Sequence, residues 1–470
     1  MKRQKLEQAF NEISDAHITE ASGRKKRRLP WVGAAAAVLA LILVFKFVDI
    51  PMAIAAEAVS KASDARIMDM PDLDDFQDRA LWLQALEQWE AERDLRGDSA
   101  AQGLAQMADF LQRSCDEFLS GARGNALYSP INAYIGLAMT AELTAGQTRQ
   151  QIMEALGVSD LTALRQQISA LWETVYQDDG NEICTLANAL WLDESLKYSQ
   201  EPMDILSYDY YASVYRQDLS SRRAAKDIQA WLNNNTGGLL KNAVQGIQLP
   251  QDTVLALYST IYFQAKWQDE FNSAKNTTDT FHGQAGDTEV TFMNKKLAQM
   301  HYYWDEDYGS VSLGLKNGSQ MWFILPDEDK TVDDVLESGA YLDMIAAPYE
   351  GWENTKFMKV NLSVPKFDVQ GQQNLRSGLE NMGVTELFQL GQADFSEAFD
   401  GPVFMTAANQ AVRVQIDEQG VKAAAYIEFP GATSPMPPEE IIDFVLDRPF
   451  LFVIADSSGI PLFAGVVNVL

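Results

Sequence analysis

One segment near the C-terminus constrains the fold more than any other, because it begins as a strand and then cannot continue as one. Residues 411–448 read AVRVQIDEQGVKAAAYIEFPGATSPMPPEEIIDFVLDR. Apolar and polar residues alternate before and after Gly420, which is the pattern of a strand with one buried face and one face in water. The buried face after this glycine comprises Val421, Ala423, Ala425, Ile427 and Phe429. Prolines from Pro430 to Pro438 then break the pattern, since proline cannot donate to a β-ladder. The segment is therefore predicted to be a loop that is able to become a strand.

Length and charge narrow the class of protein. The chain has 470 residues, of which 47% are hydrophobic, and this allows one large domain with a sizeable core plus appendages. Its formal net charge is -29, although the first 29 residues carry an excess of Lys and Arg. A body this acidic repels phosphate backbones, so nucleic-acid binding is disfavoured.

An uncharged stretch near the N-terminus has the length of a membrane span. The run from Leu29 to Phe45 contains no charged residue, and it follows a polar, basic segment at residues 1–28. Such a run spans about 26 Å as a helix, and Lys46 can snorkel so that the span reaches Val48. Because basic residues favour the cytoplasmic side of a membrane, the C-terminal body would lie on the opposite side.

We therefore expect three regions before the main domain of residues 100–470. These are a basic cytoplasmic tail (1–28), a transmembrane signal anchor (29–48) and a juxtamembrane spacer (49–99) that contains a helix. The spacer's Leu and Trp residues suit either a stalk or a face packed on the domain. The protein would be a single-pass protein of a bacterial cell membrane with an extracytoplasmic body. The alternatives are a signal peptide cleaved near Ala55, which would give a secreted protein, and a buried helix of a soluble domain.

Helical patterns are concentrated early in the main domain and strand patterns late. The helical stretches are 103–119, 131–143, 148–156, 161–176 and 224–236. The strand-like stretches are 184–192, 253–265, 297–303, 311–315, 320–325, 359–367, 411–418 and 451–454. This order favours an α+β domain with large antiparallel sheets over alternating parallel units.

The residues that usually carry catalysis or bind metals are few and scattered. The histidines are His17, His282 and His301, and no nucleophile motif flanks any of them. Cys115 and Cys184 form no C-x-x-C motif, and two isolated core thiols are favoured over a disulfide. There is also no glycine-rich phosphate loop. We expect no enzyme activity, no metal site and no cofactor.

Several ordered motifs give the chain a resemblance to the serpins, a family of serine protease inhibitors. The hinge-like stretch VQIDEQGVKAAAY has the family's Glu, Gly and run of small residues. The other matching stretches are NALYSP (125–130), LYSTIYFQAKWQDEF (257–271), VPKF (364–367), RPFLF (448–452) and PLFAGVVN (461–468). The resemblance covers residues 100–470. It implies an α+β serpin fold of three β-sheets surrounded by about nine helices, with an exposed reactive-centre loop.

The resemblance also implies a mechanism. In this family a serine protease recognises the exposed loop as a substrate, cleaves it and becomes joined to it through an acyl bond. The freed loop then enters the main sheet as a new strand. The matching hinge residues here are Glu418, Gly420, Val421, Ala423, Ala424 and Ala425. Val421 and Tyr426 depart from the family pattern, but the alternation places Val421 toward the core and Tyr426 toward solvent. We therefore expect a hinge that can insert.

The scissile bond is expected at Thr433–Ser434, by the family's spacing from Glu418, with Ala432–Thr433 as the next candidate within residues 432–438. A proline directly after the cleaved bond usually blocks serine proteases, which argues against cleavage at Ser434–Pro435 and Met436–Pro437. No Lys or Arg occurs from Ala423 to Phe444, so a trypsin-like target would lack its anchor, whereas elastase-like and subtilisin-like proteases take small residues. The expected partner is thus an extracellular serine protease in a covalent complex with a monomeric inhibitor. The alternative is a serpin-like binding or structural protein whose loop never inserts.

A polar cluster is expected beneath the main sheet, where the loop would enter. The positions that match the family's cluster are Ser129, Asn132, Ser259 and Asn409, and Ser259 and Asn409 replace the family's usual Asn and His. Buried hydroxyls and amides need one another as partners, so we expect a rearranged hydrogen-bond network. Trp267 matches a family Trp near the point of entry, although packing in the core would explain it equally well.

Overall fold

A computed structural model describes most of the main domain and two short segments before it. The described residues are 54–63, 78–178, 183–238, 247, 249–346, 352–406, 408–421 and 440–470. They belong to one compact unit, residues 53–470. The expected tail, the expected anchor, the hinge residues Ala423 to Ala425 and the expected scissile bond Thr433–Ser434 lie outside the described residues. Within the described residues, no helix combines the length and the apolarity that a membrane span requires.

The helices lie mostly in the first half of the domain, as the sequence predicted. They are α1 (Arg79–Leu119), α2 (Pro130–Leu143), α3 (Gly146–Leu156), α4 (Leu161–Val175), α5 (Gln200–Asp209), α6 (Arg222–Asn235), α7 (Val332–Ser338), α8 (Ala340–Ala346) and α9 (Arg376–Asn381). Two single 3₁₀ turns follow at Ser273–Lys275 and Glu386–Phe388.

Helix α1 is much longer than the predicted helix at 103–119. It has 41 residues and is capped at its N-terminus by Asp78, whose side chain accepts a hydrogen bond from the Ala80 backbone at 2.9 Å. Gly97 and Gly103 both lie inside it, because a single glycine costs a helix only about 1 kcal/mol. The expected boundary between spacer and domain at 99/100 therefore falls within one continuous helix.

The described residues contain seventeen strands, which lie between residues 57 and 467. They are β1 (Glu57–Ser60), β2 (Ala126–Tyr128), β3 (Gln177–Asp178), β4 (Ile183–Asp193), β5 (Ala212–Gln217), β6 (Leu255–Lys266), β7 (Thr277–Gly283), β8 (Gly286–Trp304), β9 (Tyr308–Gly314), β10 (Gln320–Pro326), β11 (Thr355–Pro365), β12 (Phe367–Asn374), β13 (Asn409–Ile416), β14 (Gly420–Val421), β15 (Ile441–Val445), β16 (Phe450–Ala455) and β17 (Pro461–Val467). Strand β8 is far longer than the predicted strand, because its first half is exposed and so lacks the alternation of a half-buried strand.

The strands form three sheets. A six-stranded sheet has the order β1-β5-β4-β6-β14, with β3 beside β4. A nine-stranded sheet has the order β15-β11-β8-β9-β10-β16-β17-β2, with β7 beside β8, and β12 pairs with β13 in the third sheet. Pairing is antiparallel except between β4 and β5 and between β11 and β15. The predicted α+β class with large antiparallel sheets is confirmed.

Strand β1 comes from the region that the sequence analysis treated as a spacer. It pairs with β5 at the outer edge of the six-stranded sheet, and Glu57 lies opposite Arg216. Just after the strand, the Ser63 backbone donates to the Ser207 carbonyl at 2.9 Å. A strand of four residues is too short to show alternation, so the pairing could not be predicted from sequence.

Two hydrophobic cores hold these layers together. The larger core lies among the three sheets and helices α1, α2 and α4, and it contains both cysteines, which are buried and unpaired. The smaller core joins the outer face of the six-stranded sheet to α6, with Trp191 and Trp231 at its centre. Helix α6 therefore covers the face of the sheet at β4 and β6.

Strand β6 of the six-stranded sheet is paired over only a short part of one edge. Along one edge β6 pairs with β4 from Leu255 to Gln264, whereas along its other edge the pairing with described residues is confined to β14, at Ala265 and Lys266. Strand β13 pairs with β12 on one side over its whole length. Residues of both β6 and β13 line a common cavity, so an opening lies between these two strands.

Candidate functional site

Gly420 and Val421, just before the expected reactive-centre loop, form the short strand β14 beside β6. Gly420 pairs with Lys266 and Val421 pairs with Ala265, in antiparallel register. Gly420 has φ +143°, and a Cβ there would lie 2.5 Å from the Ala265 carbonyl oxygen and 2.5 Å from the Lys266 Cα. Only glycine fits this close approach without displacing β6.

Trp267 holds the turn that precedes Gly420. Its indole Nε1 donates to the Asp417 carbonyl at 2.8 Å, and its backbone nitrogen donates to the Gln419 carbonyl at 3.1 Å. The side chain is 1% exposed, and its ring packs edge-on against Phe271 with centroids 5.8 Å apart. Trp267 therefore packs in the core and also binds the main chain at the point where the loop leaves the sheet.

Glu418 is fixed by three elements of the fold. Its Oε1 accepts from Lys366 Nζ and from Asn276 Nδ2, each at 2.6 Å. Its backbone carbonyl accepts from the Phe271 nitrogen at 2.9 Å. The hydrogen bond from Lys366 holds the pKa of the Glu418 carboxyl below its usual value. The start of the hinge is thus tied by an ion pair to the residue that separates β11 from β12.

The expected polar cluster beneath the sheet is present, but with a different member from β13. Gln410 Oε1 accepts from the Ser129 backbone nitrogen at 2.8 Å, and Gln410 Nε2 donates to the Ser129 carbonyl at 2.8 Å. Ser129 Oγ in turn donates to the Leu462 carbonyl at 2.7 Å. Asn409, which the sequence analysis named, is an exposed residue, whereas Gln410 is buried. The residue of β13 that makes these bonds is therefore Gln410 and not Asn409, which lines the adjoining cavity together with Asn132 and Ser259.

The reason for the correction is the period of the strand. Residues on one face of a strand recur every second position, and Val412, Val414 and Ile416 are the buried residues of β13. Gln410 continues that series, and Asn409 belongs to the opposite face. The alternation was visible in the sequence, so Gln410 could have been found from it.

A cavity of about 70 Å³ lies where β6 and β13 face each other. Asn132, Ser259 and Gln410 line it, together with apolar residues such as Leu257 and Leu379. Among the described residues, Asn132 Oδ1 and Ser259 Oγ have no hydrogen-bond partner although both atoms are buried. The expected network therefore joins Ser129 to β13 through Gln410, while these two polar atoms border the opening between the strands.

Two residues of the site carried no functional assignment from sequence. Lys366 lies within the VPKF motif, so its position was noted but its ion pair with Glu418 was not. Asn276 follows a short 3₁₀ turn and belongs to no recognised pattern. In the part of the chain that the structure describes, no group of three or more His, Cys, Asp or Glu side chains is placed to hold a metal ion.

The fold and the site define a class of protein with a large six-stranded sheet whose strand β6 is paired, on one edge, only with the short strand β14 among the described residues. A family model described as Serpin (serine protease inhibitor) matches residues 105–469. Plasminogen activator inhibitor 1 of Sus scrofa is 30% identical over 358 residues, which cover 73% of this chain and 86% of that protein. Serpin-Z1C of Triticum aestivum is 26% identical over 366 residues, which cover 74% of this chain and 90% of that protein.

A solved structure agrees with these relatives. The native state of the thermophilic serpin Tengpin has a TM-score of 0.69 and 25% sequence identity, covering 78% of this chain and 93% of that one. The chain belongs to the serpin family, whose members are in general protease inhibitors and not catalysts.

Proposed function

We propose that this protein is a suicide-substrate inhibitor of extracellular serine proteases. The protease serine attacks the carbonyl carbon of Thr433, the bond to the Ser434 nitrogen breaks, and that nitrogen leaves as an amine after taking a proton. The inhibitor is then joined to the protease through an ester at Thr433. The freed loop enters the opening between β6 and β13 as a strand, carrying the protease with it before water can release the ester.

The observation that carries this proposal is the pairing of β14 with β6. Continuing the register of Gly420 opposite Lys266 brings Ala423 opposite Phe263, Ala425 opposite Ile261 and Ile427 opposite Ser259. Directly opposed residues of paired strands share a face, and Phe263 and Ile261 belong to the larger core. The apolar face of the loop would therefore enter the core, and Lys422 and Tyr426 would lie on the outer face.

Insertion of the loop would be favourable because it would supply the missing partner strand of β6. The edge of β6 from Leu255 to Gln264 gains a partner strand, and each new ladder pair replaces hydrogen bonds to water. The small side chains of Ala423 to Ala425 require little widening of the opening. The uncleaved form is then a kinetically trapped state whose relaxation drives the trapping of the protease.

The proposed target class and location rest on the sequence. The absence of Lys and Arg between Ala423 and Phe444 favours elastase-like and subtilisin-like proteases. We further propose that residues 29–48 anchor a monomeric inhibitor in a bacterial cell membrane with its body outside the cell. Cleavage near Ala55 would instead release it as a secreted protein.

The test mixes the full chain with pancreatic elastase and with subtilisin and looks for a complex that survives denaturant. N-terminal sequencing of the released peptide identifies the scissile bond, and Ser434 is the expected first residue. Ala423→Arg should abolish the complex and leave clean cleavage, because continuing the register of β14 carries this charge to a place opposite Phe263, which is buried. Gln419→Arg is the matched control, since Gln419 is exposed and precedes the inserting residues.

Complex formation by the Ala423→Arg variant would contradict the insertion mechanism. Cleavage of the unmodified chain without a complex, and with no rise in melting temperature after cleavage, would favour the alternative of a binding or structural protein whose loop stays outside the sheet. Cleavage without a complex but with a large rise would show that the loop inserts too slowly to trap these proteases.

A further inference from the structure

One face of the nine-stranded sheet carries two large apolar side chains that lie in water. Val360, Leu362 and Val364 of β11 are buried, so Phe357 of the same strand belongs to the opposite, outer face. Phe357 is 40% exposed, and Ile441 of the neighbouring strand β15 is 60% exposed. In the part of the chain that the structure describes, neither side chain is covered.

The register of β11 and β15 brings these two side chains together. The strands are parallel, and Ile441 lies directly opposite Lys359, two residues after Phe357. Residues two apart share a face and paired strands lie about 4.8 Å apart, so Phe357 and Ile441 are diagonal neighbours roughly 8 Å apart. The ring of Phe357 also contacts His301 of β8, with centroids 4.9 Å apart. Phe357, Lys359 and Ile441 define what we call the β11–β15 face.

Two lysines border this apolar pair, although the whole chain carries a net charge of -29. Lys359 lies beside Ile441, and Lys296 of β8 lies opposite Asn361 of β11. Neither lysine forms an ion pair with a described residue, whereas the nearby Asp443 carboxylate accepts a hydrogen bond from Asn361 Nδ2 at 2.7 Å. A protein surface with an apolar patch and a carboxylate at its border would therefore match the β11–β15 face.

The length of chain before β15 indicates which protein comes close to this face. Glu440 directly precedes β15 and lies seven residues after Thr433, the expected point of attack. Extended chain covers about 3.5 Å per residue, so these residues span at most about 25 Å. Val421 lies twelve residues before Thr433, so β15 is the nearer end of the loop. A protease that attacks Thr433 is therefore held close to the β11–β15 face.

The size of the protease makes a contact feasible. A domain of about 250 residues has a radius of gyration near 18 Å, so its surface extends beyond its own cleft about as far as this segment reaches. We propose that the β11–β15 face is a second contact surface for the serine protease that attacks the loop. It binds an apolar patch with an acidic border, on the side of the protease that holds the residues after the scissile bond. This inference rests on the proposed function.

The small extent of the face favours this partner over a second copy of the chain. A stable complex buries about 800 Å² on each partner, which is far more than two half-exposed side chains supply. A protease already held by the loop meets the face in an intramolecular step, so even a small contact raises its affinity. The face therefore suits a partner that is bound elsewhere at the same time.

The test measures the second-order rate constant for covalent complex formation by the full chain with subtilisin and with pancreatic elastase. Phe357→Asp and Ile441→Asp each place a charge in the apolar centre. Each should lower the rate constant about tenfold with the protease that the unmodified chain inhibits faster. The final yield of complex should stay the same, because neither residue belongs to the inserting segment. Phe357 lies outside the loop and its flanking strand β15, so its variant excludes a local effect on the loop.

Leu390→Asp is the matched control. Leu390 is 69% exposed and follows the 3₁₀ turn at Glu386–Phe388, whose first backbone nitrogen donates to Gln151 of α3 at 3.0 Å. It should leave the rate constant unchanged. Unchanged rate constants for the Phe357 and Ile441 variants, or an equal decrease for the Leu390 variant, would overturn the inference while the proposed function stands. If the unmodified chain forms no complex with either protease, the proposed function fails and the inference fails with it.

Lys359→Glu tests the charged border of the face. Reversing this charge should lower the rate constant at low salt, and the difference from the unmodified chain should shrink as salt is added, because exposed charges are screened. Melting temperatures of all four variants should stay close to that of the unmodified chain, since each substituted side chain is at least partly exposed. A Lys359→Glu variant that reacts as fast as the unmodified chain at low salt would contradict an acidic partner surface.

Discussion

Gln410 and the main chain of Ser129 exchange two hydrogen bonds of 2.8 Å each beneath the main sheet. The bonds join β13 to the N-terminus of α2, and all of the atoms involved are buried. They therefore connect one border of the opening in the sheet to the helix that lies below it.

Gln410→Leu should destabilise the protein strongly. The substitution keeps a similar volume but leaves the Ser129 nitrogen and carbonyl without these partners in a buried place, at a cost of about 2 to 4 kcal/mol. The urea-unfolding midpoint measures the loss. Asn409→Leu is the control and should change the free energy of unfolding by about 0.5 kcal/mol or less, because Asn409 is exposed. A larger loss for the Asn409 variant would restore the original assignment.

Gly420→Ala should disrupt the first pairs of the inserting strand. A Cβ at this position would lie 2.5 Å from the Ala265 carbonyl oxygen, and φ is +143°, so strain and clash act together. We expect a loss of more than about 2 kcal/mol in the free energy of unfolding. Gly121→Ala has a positive φ of +69° but no atom within 4 Å, and should cost only about 1 kcal/mol. Similar losses for both variants would show that the close approach to β6 has no energetic weight.

The ion pair between Glu418 and Lys366 should make the stability of the hinge depend on pH. Because the folded pKa of Glu418 is lowered, mainly by its hydrogen bond with Lys366, the pair stabilises the fold above the unfolded pKa near 4.5. That contribution is lost as the pH falls through the lower, folded value. Glu418→Gln should remove this part of the acid destabilisation, on the order of 1 kcal/mol.

Melting curves between pH 3 and pH 7, about the range over which carboxylates titrate, measure this effect. Glu440→Gln is the control, since Lys356 and Glu440 form an equally short pair of 2.6 Å that is much more exposed. A Glu418→Gln variant with an unchanged pH profile would show that the ion pair does not stabilise the hinge.

Asp456 should act on stability in the opposite direction. Burial raises the pKa of its carboxyl to about 6, despite hydrogen bonds from the Ser458 and Ile460 backbones at 2.9 and 2.8 Å. Because the pKa is higher in the folded state, the contribution of this carboxyl to the free energy of unfolding is most favourable below the unfolded pKa of 3.8. That contribution is lost as the pH rises toward 6.

Asp456→Asn should therefore stabilise the protein at pH 7 by only about 1 kcal/mol: its Oδ1 can accept the same two bonds without a buried charge, but its Nδ2 would replace the buried Oδ2, which has no partner among the described residues. It should also flatten the melting temperature between about pH 4 and pH 6, the interval bounded by the two pKa values. Asp443→Asn, in β15 and away from this turn, is the control and should leave the profile unchanged. A destabilised Asp456→Asn variant at pH 7 would contradict the argument.

Local patterns predicted the elements whose periodicity is strong. The helices α2, α3, α4 and α6 and the strands β4, β6, β10 and β13 all lie within a few residues of their predicted positions. Periodicity did not predict strands whose burial depends on contacts with distant parts of the chain and not on their own alternation of apolar and polar residues. Strand β5 is only six residues long, and β12 was missed because its residues alternate weakly and gain their partner only from β13.

The sequence by itself predicted a strand-capable loop behind Gly420 and determined that the chain's motifs occur in the order of a serpin. Alternation and local motifs are properties of residues close together in the chain, so both can be read without the structure. Only the tertiary structure decided which atoms meet. Gln410 and Ser129 are 281 residues apart, and the edge of β6, the strand β1 and the β11–β15 face all depend on which distant elements pack together. Pairing between distant segments is set by the closure of long loops and by burial across the whole core, and no local pattern encodes either one.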